Sequence, residues 1–247
     1  MRRSKVLFLA MIPTMCVLLL MPAAARSATV RLTCRFGDPA VETLPGGFSR
    51  LVFPATIQAG RPGEPCYPFR GIQALLPPGQ SIARVSVRKS DWRVLGGAHK
   101  LYPMQEPLRG VDVDSGAKRF LMNAAAYRVD SWIEPPDAPF RTRYLRGHAI
   151  ATGAVSPVGF RPASSEAGYY GTIDVAIETA ASDEAAEALR LLRGDQETIE
   201  RVSRLVDNPE GLAGYAAAAP SPAGDAGGFE YLIVTTSGFA SSFQPLA

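Results

Sequence analysis

His99 and His148 are the only imidazoles in the 247 residues, and Cys16, Cys34 and Cys66 are the only thiols. A Cys/His hydrolase needs an imidazole within hydrogen-bond reach of a thiolate and a third group to orient it. No local spacing brings either histidine to Cys34 or Cys66, and both cysteines sit in strand-like runs. The alternating carboxylates of VDVDSG at 111–116 lack the third ligand and terminal glutamate of an EF-hand, so they read as a solvated turn. Glu134 and Asp137 form a possible carboxylate pair, but Pro135 and Pro136 between them mark a surface turn. There is no phosphate-binding glycine loop, no metal-spaced Cys/His cluster and no internal repeat. The chain is therefore expected to carry no catalytic residue, no metal and no cofactor.

Charge and processing signals narrow the class further. Arg2, Arg3 and Lys5 precede an apolar run at 6–21 that is interrupted at Pro13, and Ala23, Ala24 and Ala25 follow. This is the pattern of a secretory signal peptide over 1–25, cleaved after Ala25. A membrane anchor is the alternative, although the run falls short of the ~20 apolar residues that a span needs. Pro13-Thr14-Met15 before Cys16 lacks the small residues of a lipoprotein site. Without the three basic residues of the leader, 23 Lys and Arg face 23 Asp and Glu. A near-neutral mature chain speaks against nucleic acid or an anionic membrane surface as a partner. The expected location is secreted, extracellular or periplasmic. In such a compartment Cys34 and Cys66 are candidates for one disulfide, with two buried free thiols as the other reading.

The elements that would position any site are mostly strands. Residues 60–87, GRPGEPCYPFRGIQALLPPGQSIARVSV, form the anchor. An extended run ending at Cys66, Tyr67 and Pro68 leads to an apolar strand at 72–76, the turn Pro77-Pro78-Gly79, and an alternating strand at 82–87. Residues 29–36 alternate as an opening strand, and 48–57 read as another. Residues 92–95 precede a turn at Gly96-Gly97, and 105–118 are polar and turn-rich, which predicts a long exposed loop. Residues 144–157 and 171–179 supply the best strands of the second half, joined by a proline-rich turn at 158–168. Many short strands with Gly/Pro turns predict an all-β, jelly-roll-like sandwich over 29–180.

The texture changes at Ser182, a capping hydroxyl followed by Asp183 and Glu184. Ala185, Ala188, Leu189 and Leu192 then recur at helical spacing until Gly194, and a second helix is expected at 196–206. Residues 211–228 are rich in Ala, Gly, Pro and Ser and read as a linker, so 181–228 is a helical segment plus linker. FEYLIVTT at 229–236 is the continuous apolar run of a strand buried on both faces. Residues 229–247 are accordingly expected to be the truncated start of a further, α/β domain.

Several motifs in order carry a family resemblance. They are Gly60-Arg61-Pro62 with Pro65 and Pro68, then 72–78 with 81–87, Leu101-Tyr102-Pro103, and Ala126-Tyr127 before 132–135. Leu145-Arg146-Gly147 then leads through 155–158 to Phe160-Arg161-Pro162, and the tail is YLIVTTSGFASSFQPLA. Together they resemble the N-terminal part of gingipain-type cysteine peptidase precursors: signal peptide, propeptide and opening strand of the peptidase. Cys66 stands where an aliphatic residue is usual, and Phe160 where tyrosine is common. The resemblance implies a β-sandwich propeptide that assists folding and holds its own downstream peptidase domain latent, the catalytic His and Cys lying beyond Ala247. It also implies an inhibitory loop after Leu101-Tyr102-Pro103 that offers a basic side chain to the peptidase. Arg109 is the basic residue there before Lys118, with a solvated loop arginine as the other reading. A free-standing secreted β-sandwich that binds carbohydrate or protein is the alternative function.

Overall fold

The strand β10 (Glu166–Ala181) organises the molecule because its alternation is the longest in the chain. Ile173, Val175, Ile177 and Thr179 are buried on one side, and the residues between them face out. The computed structural model describes residues 27–106 and 120–218. β10 pairs antiparallel with β1 (Ala28–Arg35) on one side and with β6 (Gln80–Val94) on the other. It also makes a hairpin with β9 (Val158–Arg161). The second sheet runs in the order β4 (Thr56–Ala59), β5 (Tyr67–Leu75), β8 (His148–Val155), β7 (Ala138–Leu145). A hairpin of β2 (Ala40–Leu44) and β3 (Phe48–Val52) stands beside them.

The two four-stranded sheets enclose one apolar core. Ile173, Val175 and Ile177 come from the first sheet, Ile72, Ala74, Ala151 and Val155 from the second, and Phe48 and Leu51 from the side hairpin. Lys89 carries a charge close to this core, and its ammonium reaches Glu134 at 3.3 Å and Asp137 at 3.5 Å. The carboxylates that read as a surface turn therefore pair with Lys89. The architecture is an all-β sandwich of antiparallel sheets with three short helices. No helix among the described residues is long and apolar enough to cross a membrane.

Some local expectations change. Pro77-Pro78-Gly79 joins strands that lie in opposite sheets, so this turn crosses between layers instead of closing a hairpin. The run 48–57 splits into β3 and β4 around Ala55, whose φ is +54°. β2 has only Val41 and Leu44 as large apolar residues and too short an alternation to stand out. The stretch read as linker begins with the helix α3 (Leu212–Ala218), because Tyr215 gives it a buried face.

α1 (Asp183–Arg190), α2 (Gln196–Leu205) and α3 cover the outer face of the second sheet. Their caps are local: the Ser182 hydroxyl accepts from Ala185 N, and the Asp195 carboxylate accepts from Thr198 N. Leu75 and Ile150 point away from the sandwich and meet Val202, Val206 and Tyr215 in a second, smaller core. Strand period 2 thus loads both faces of β5 and β8. The turn between β7 and β8 docks under the helices, where Gly147 has φ +89° and a Cβ would lie 2.4 Å from Leu192 Cα. Only glycine fits there.

Candidate functional site

The histidines and cysteines do not assemble. Nε2 of His99 is 2.8 Å from the Gly96 carbonyl, next to the turn after β6. His148 is buried with Nδ1 3.3 Å from the Leu145 carbonyl, and its ring lies 4.6 Å from that of Tyr215. The structure holds Cys34 and Cys66 as separate free thiols rather than as a bridge. Cys34 lies on β1 opposite Ile173, whereas Cys66 is tied to another part of the sandwich, with Sγ 3.7 Å from Met104 Sδ. Burial raises both thiols above their ordinary value, with Arg70 partly offsetting it at Cys34 and Arg50 at Cys66. Protonated thiols without an adjacent base are not nucleophiles. Among the described residues no three His, Cys, Asp or Glu side chains come together as a metal site. Arg109, the carboxylates at 111–116, Ala25 and the run 229–236 lie outside the described residues.

The residues on either side of 107–119 do form a defined arrangement, a two-legged stem. The first leg is 101–106. Its backbone is held by β3 on one side, where Ser49 N donates to the Lys100 carbonyl at 2.7 Å and Tyr102 N donates to the Ser49 carbonyl at 2.9 Å. On the other side stands the anchor turn. Cys66 N donates to the Tyr102 carbonyl at 2.9 Å, Met104 N to the Glu64 carbonyl at 2.8 Å, and Gly63 N to the Met104 carbonyl at 2.7 Å. Pro65 and Pro103 form the bridge between these bonds.

The second leg, 120–123, returns to the same turn: Asn123 N donates to the Gly63 carbonyl at 2.8 Å. Gly63 has φ +82°, and a Cβ would lie 3.2 Å from Asn123 N. The floor of the stem is aromatic. Phe48 packs on Tyr102 and Phe120, each at 5.6 Å between ring centroids, and on Tyr127 at 6.5 Å. The Lys100 ammonium sits 4.7 Å from the Phe48 centroid. The Tyr127 hydroxyl, raised by burial, donates to the Leu101 carbonyl at 2.7 Å.

The sequence pointed to 60–68 and to Leu101-Tyr102-Pro103 separately. That they meet, and that Phe48 and Tyr127 lie beneath them, had no local signal. Such contacts arise from chain crossings that periodicity does not encode.

No family model and no curated protein matches the chain. Solved structures do. One, from work on the zymogenic latency of gingipain K of Porphyromonas gingivalis, matches with a TM-score of 0.50 at 20% identity, over 64% of this chain and 100% of that one. Another, from the complex of Porphyromonas gingivalis RgpB pro- and mature domains, matches with a TM-score of 0.55 at 13% identity, over 76% of this chain and 96% of that one. At such identities the likeness is one of fold.

Proposed function

We propose that the chain is the propeptide region of a secreted gingipain-type cysteine peptidase precursor, acting in cis as latency inhibitor and folding aid. The observation that carries this reading is the fold likeness to a gingipain zymogen structure and a pro/mature complex. In this reading 1–25 is removed on export, 29–180 is the inhibitory sandwich, 181–228 connects it, and 229–247 begins the peptidase. The partner is the chain's own peptidase domain.

Arg109 is the proposed contact with the peptidase pocket. A guanidinium can meet a buried carboxylate through two parallel hydrogen bonds, which lysine cannot do. The experiment adds the purified chain to mature gingipain K, to mature RgpB and to whatever peptidase is encoded after Ala247. Tight inhibition of at least one is expected, and inhibition of none removes the latency role. Equal inhibition constants for wild type and Arg109→Ala would take Arg109 out of the mechanism.

A second reading, the free-standing binding module, has one observation in its favour. Trp92 and Trp132 are 37% and 40% exposed and meet edge to face at 5.1 Å beside Tyr170. Binding to a glycan array, lost on Trp132→Ala, would support that reading over the first.

A further inference from the structure

Gln105 stands at the neck of the stem, and its side-chain amide acts as a piece of backbone. Nε2 donates to the Leu121 carbonyl at 2.9 Å and to the Pro103 carbonyl at 2.8 Å, while Oε1 accepts from Leu121 N at 2.9 Å. Both polar groups of Leu121 are thereby satisfied from the opposite leg. One turn further down, Gly63 does the same with main-chain atoms, donating to Met104 on one leg and accepting from Asn123 on the other. Two rungs of this kind, one from the Gln105 side chain and one from the anchor turn, tie 101–106 to 120–123 immediately before and after 107–119.

We propose that Gln105 and the turn around Gly63 form a clamp whose role is to hold 101–106 and 120–123 together, so that this stem docks on the peptidase with its two legs already in place. Gln105 is thus a positioning residue for inhibition, although it lies outside the loop. The functional half of this inference rests on the latency reading above. Legs already tied together lose less conformational freedom on docking, which is how preorganisation raises affinity. The clamp itself is a property of the fold and stands independently of the partner.

The test uses the whole 247-residue chain with Gln105→Met, which keeps length and packing but removes all three hydrogen bonds. Gly63→Ala attacks the second rung, where the left-handed backbone and the contact with Asn123 N disfavour a side chain. The two readouts are hydrogen exchange at the Leu121 and Asn123 amides and inhibition constants against mature RgpB and gingipain K. Gln105→Met is expected to speed exchange at Leu121 and to weaken inhibition, each about twofold, the net effect of losing the amide once water takes its place at the freed groups. The melting temperature should stay at the wild-type value, which separates positioning from a general loss of stability. Wild-type exchange at Leu121 in Gln105→Met overturns the clamp. Faster exchange with unchanged inhibition overturns the positioning role. If wild type inhibits neither peptidase, the positioning role falls with the latency reading, and the exchange data alone decide whether the clamp exists.

Discussion

Two carboxamides in this molecule do the same thing in different surroundings. Asn208, between α2 and α3, accepts from Leu75 N at 2.7 Å and donates to the Leu75 carbonyl at 2.9 Å. Gln105 makes the matching pair of bonds with Leu121. Asn208 is 7% exposed, lies beside the second core and caps the part of β5 that β4 does not reach. Asp207 adds a rung, receiving Gln73 N at 2.7 Å and donating its own N to the Gln73 carbonyl. Gln105 instead is half-buried at the rim of the sandwich. An identical hydrogen-bond pattern is therefore a stability device in one place and a local shape device in the other. The difference is whether water can replace the amide once it is removed.

Breaking the buried pair gives the sharpest contrast. Asn208→Ala should cost about 3 kcal/mol, because it strands a buried N–H and C=O on Leu75. Urea unfolding should show the loss, with the inhibition constant unchanged well below the melting temperature. Tyr215→Phe removes the hydroxyl that accepts from Ala149 N at 2.9 Å and should cost about 1–2 kcal/mol by the same measurement.

A smaller effect is expected from pH. Burial holds the His148 imidazole below its ordinary value of 6.5, outweighing the pull of the Leu145 and Arg146 carbonyls. The unfolded chain then binds the proton more readily, so stability is full above about pH 6.5 and declines as pH falls through it. Melting curves between pH 8 and 5 should show this decline, and His148→Gln should flatten it. The smallest effect belongs to Gln105→Met. It should change global stability by less than about 0.5 kcal/mol, since water reaches the freed groups. A large loss there would place the two amides in one class and end the comparison.

Much of the sandwich was legible because strand period and turn chemistry act locally. Val30, Leu32 and Cys34 alternate on β1 as their spacing implies, and Ser182 caps α1 as its position before Asp183 and Glu184 implies. The assignment of strands to sheets was not legible. Pro77-Pro78-Gly79 looks the same whether it closes a hairpin or crosses between layers, and the difference lies in which distant strand each neighbour meets. The second core was hidden for a related reason. Leu75 and Ile150 interrupt the alternation only slightly, and Val202, Val206 and Tyr215 lie more than fifty residues further along. At the candidate site, Arg109 stood out in the sequence as the basic residue between Pro103 and Lys118 and lies outside the described residues, whereas Gln105 carries no mark that separates it from any polar loop residue. Its role exists only once Leu121 has been brought back beside it.

The central position of β10 has a consequence for the order in which the chain can fold. Ala28 pairs with Thr179, and the Thr179 hydroxyl donates to the Ala28 carbonyl across 151 residues of sequence. β1 thus has no partner during synthesis until β10, the last of the described strands, arrives. β6, which joins the same sheet, waits for the same strand. Until then β1 presents an unpaired alternating apolar edge, a template for unwanted association. Closing so wide a loop is slow compared with local hairpins such as β7–β8. A domain of this topology completes its first sheet in one late step, when the segment around residue 175 arrives.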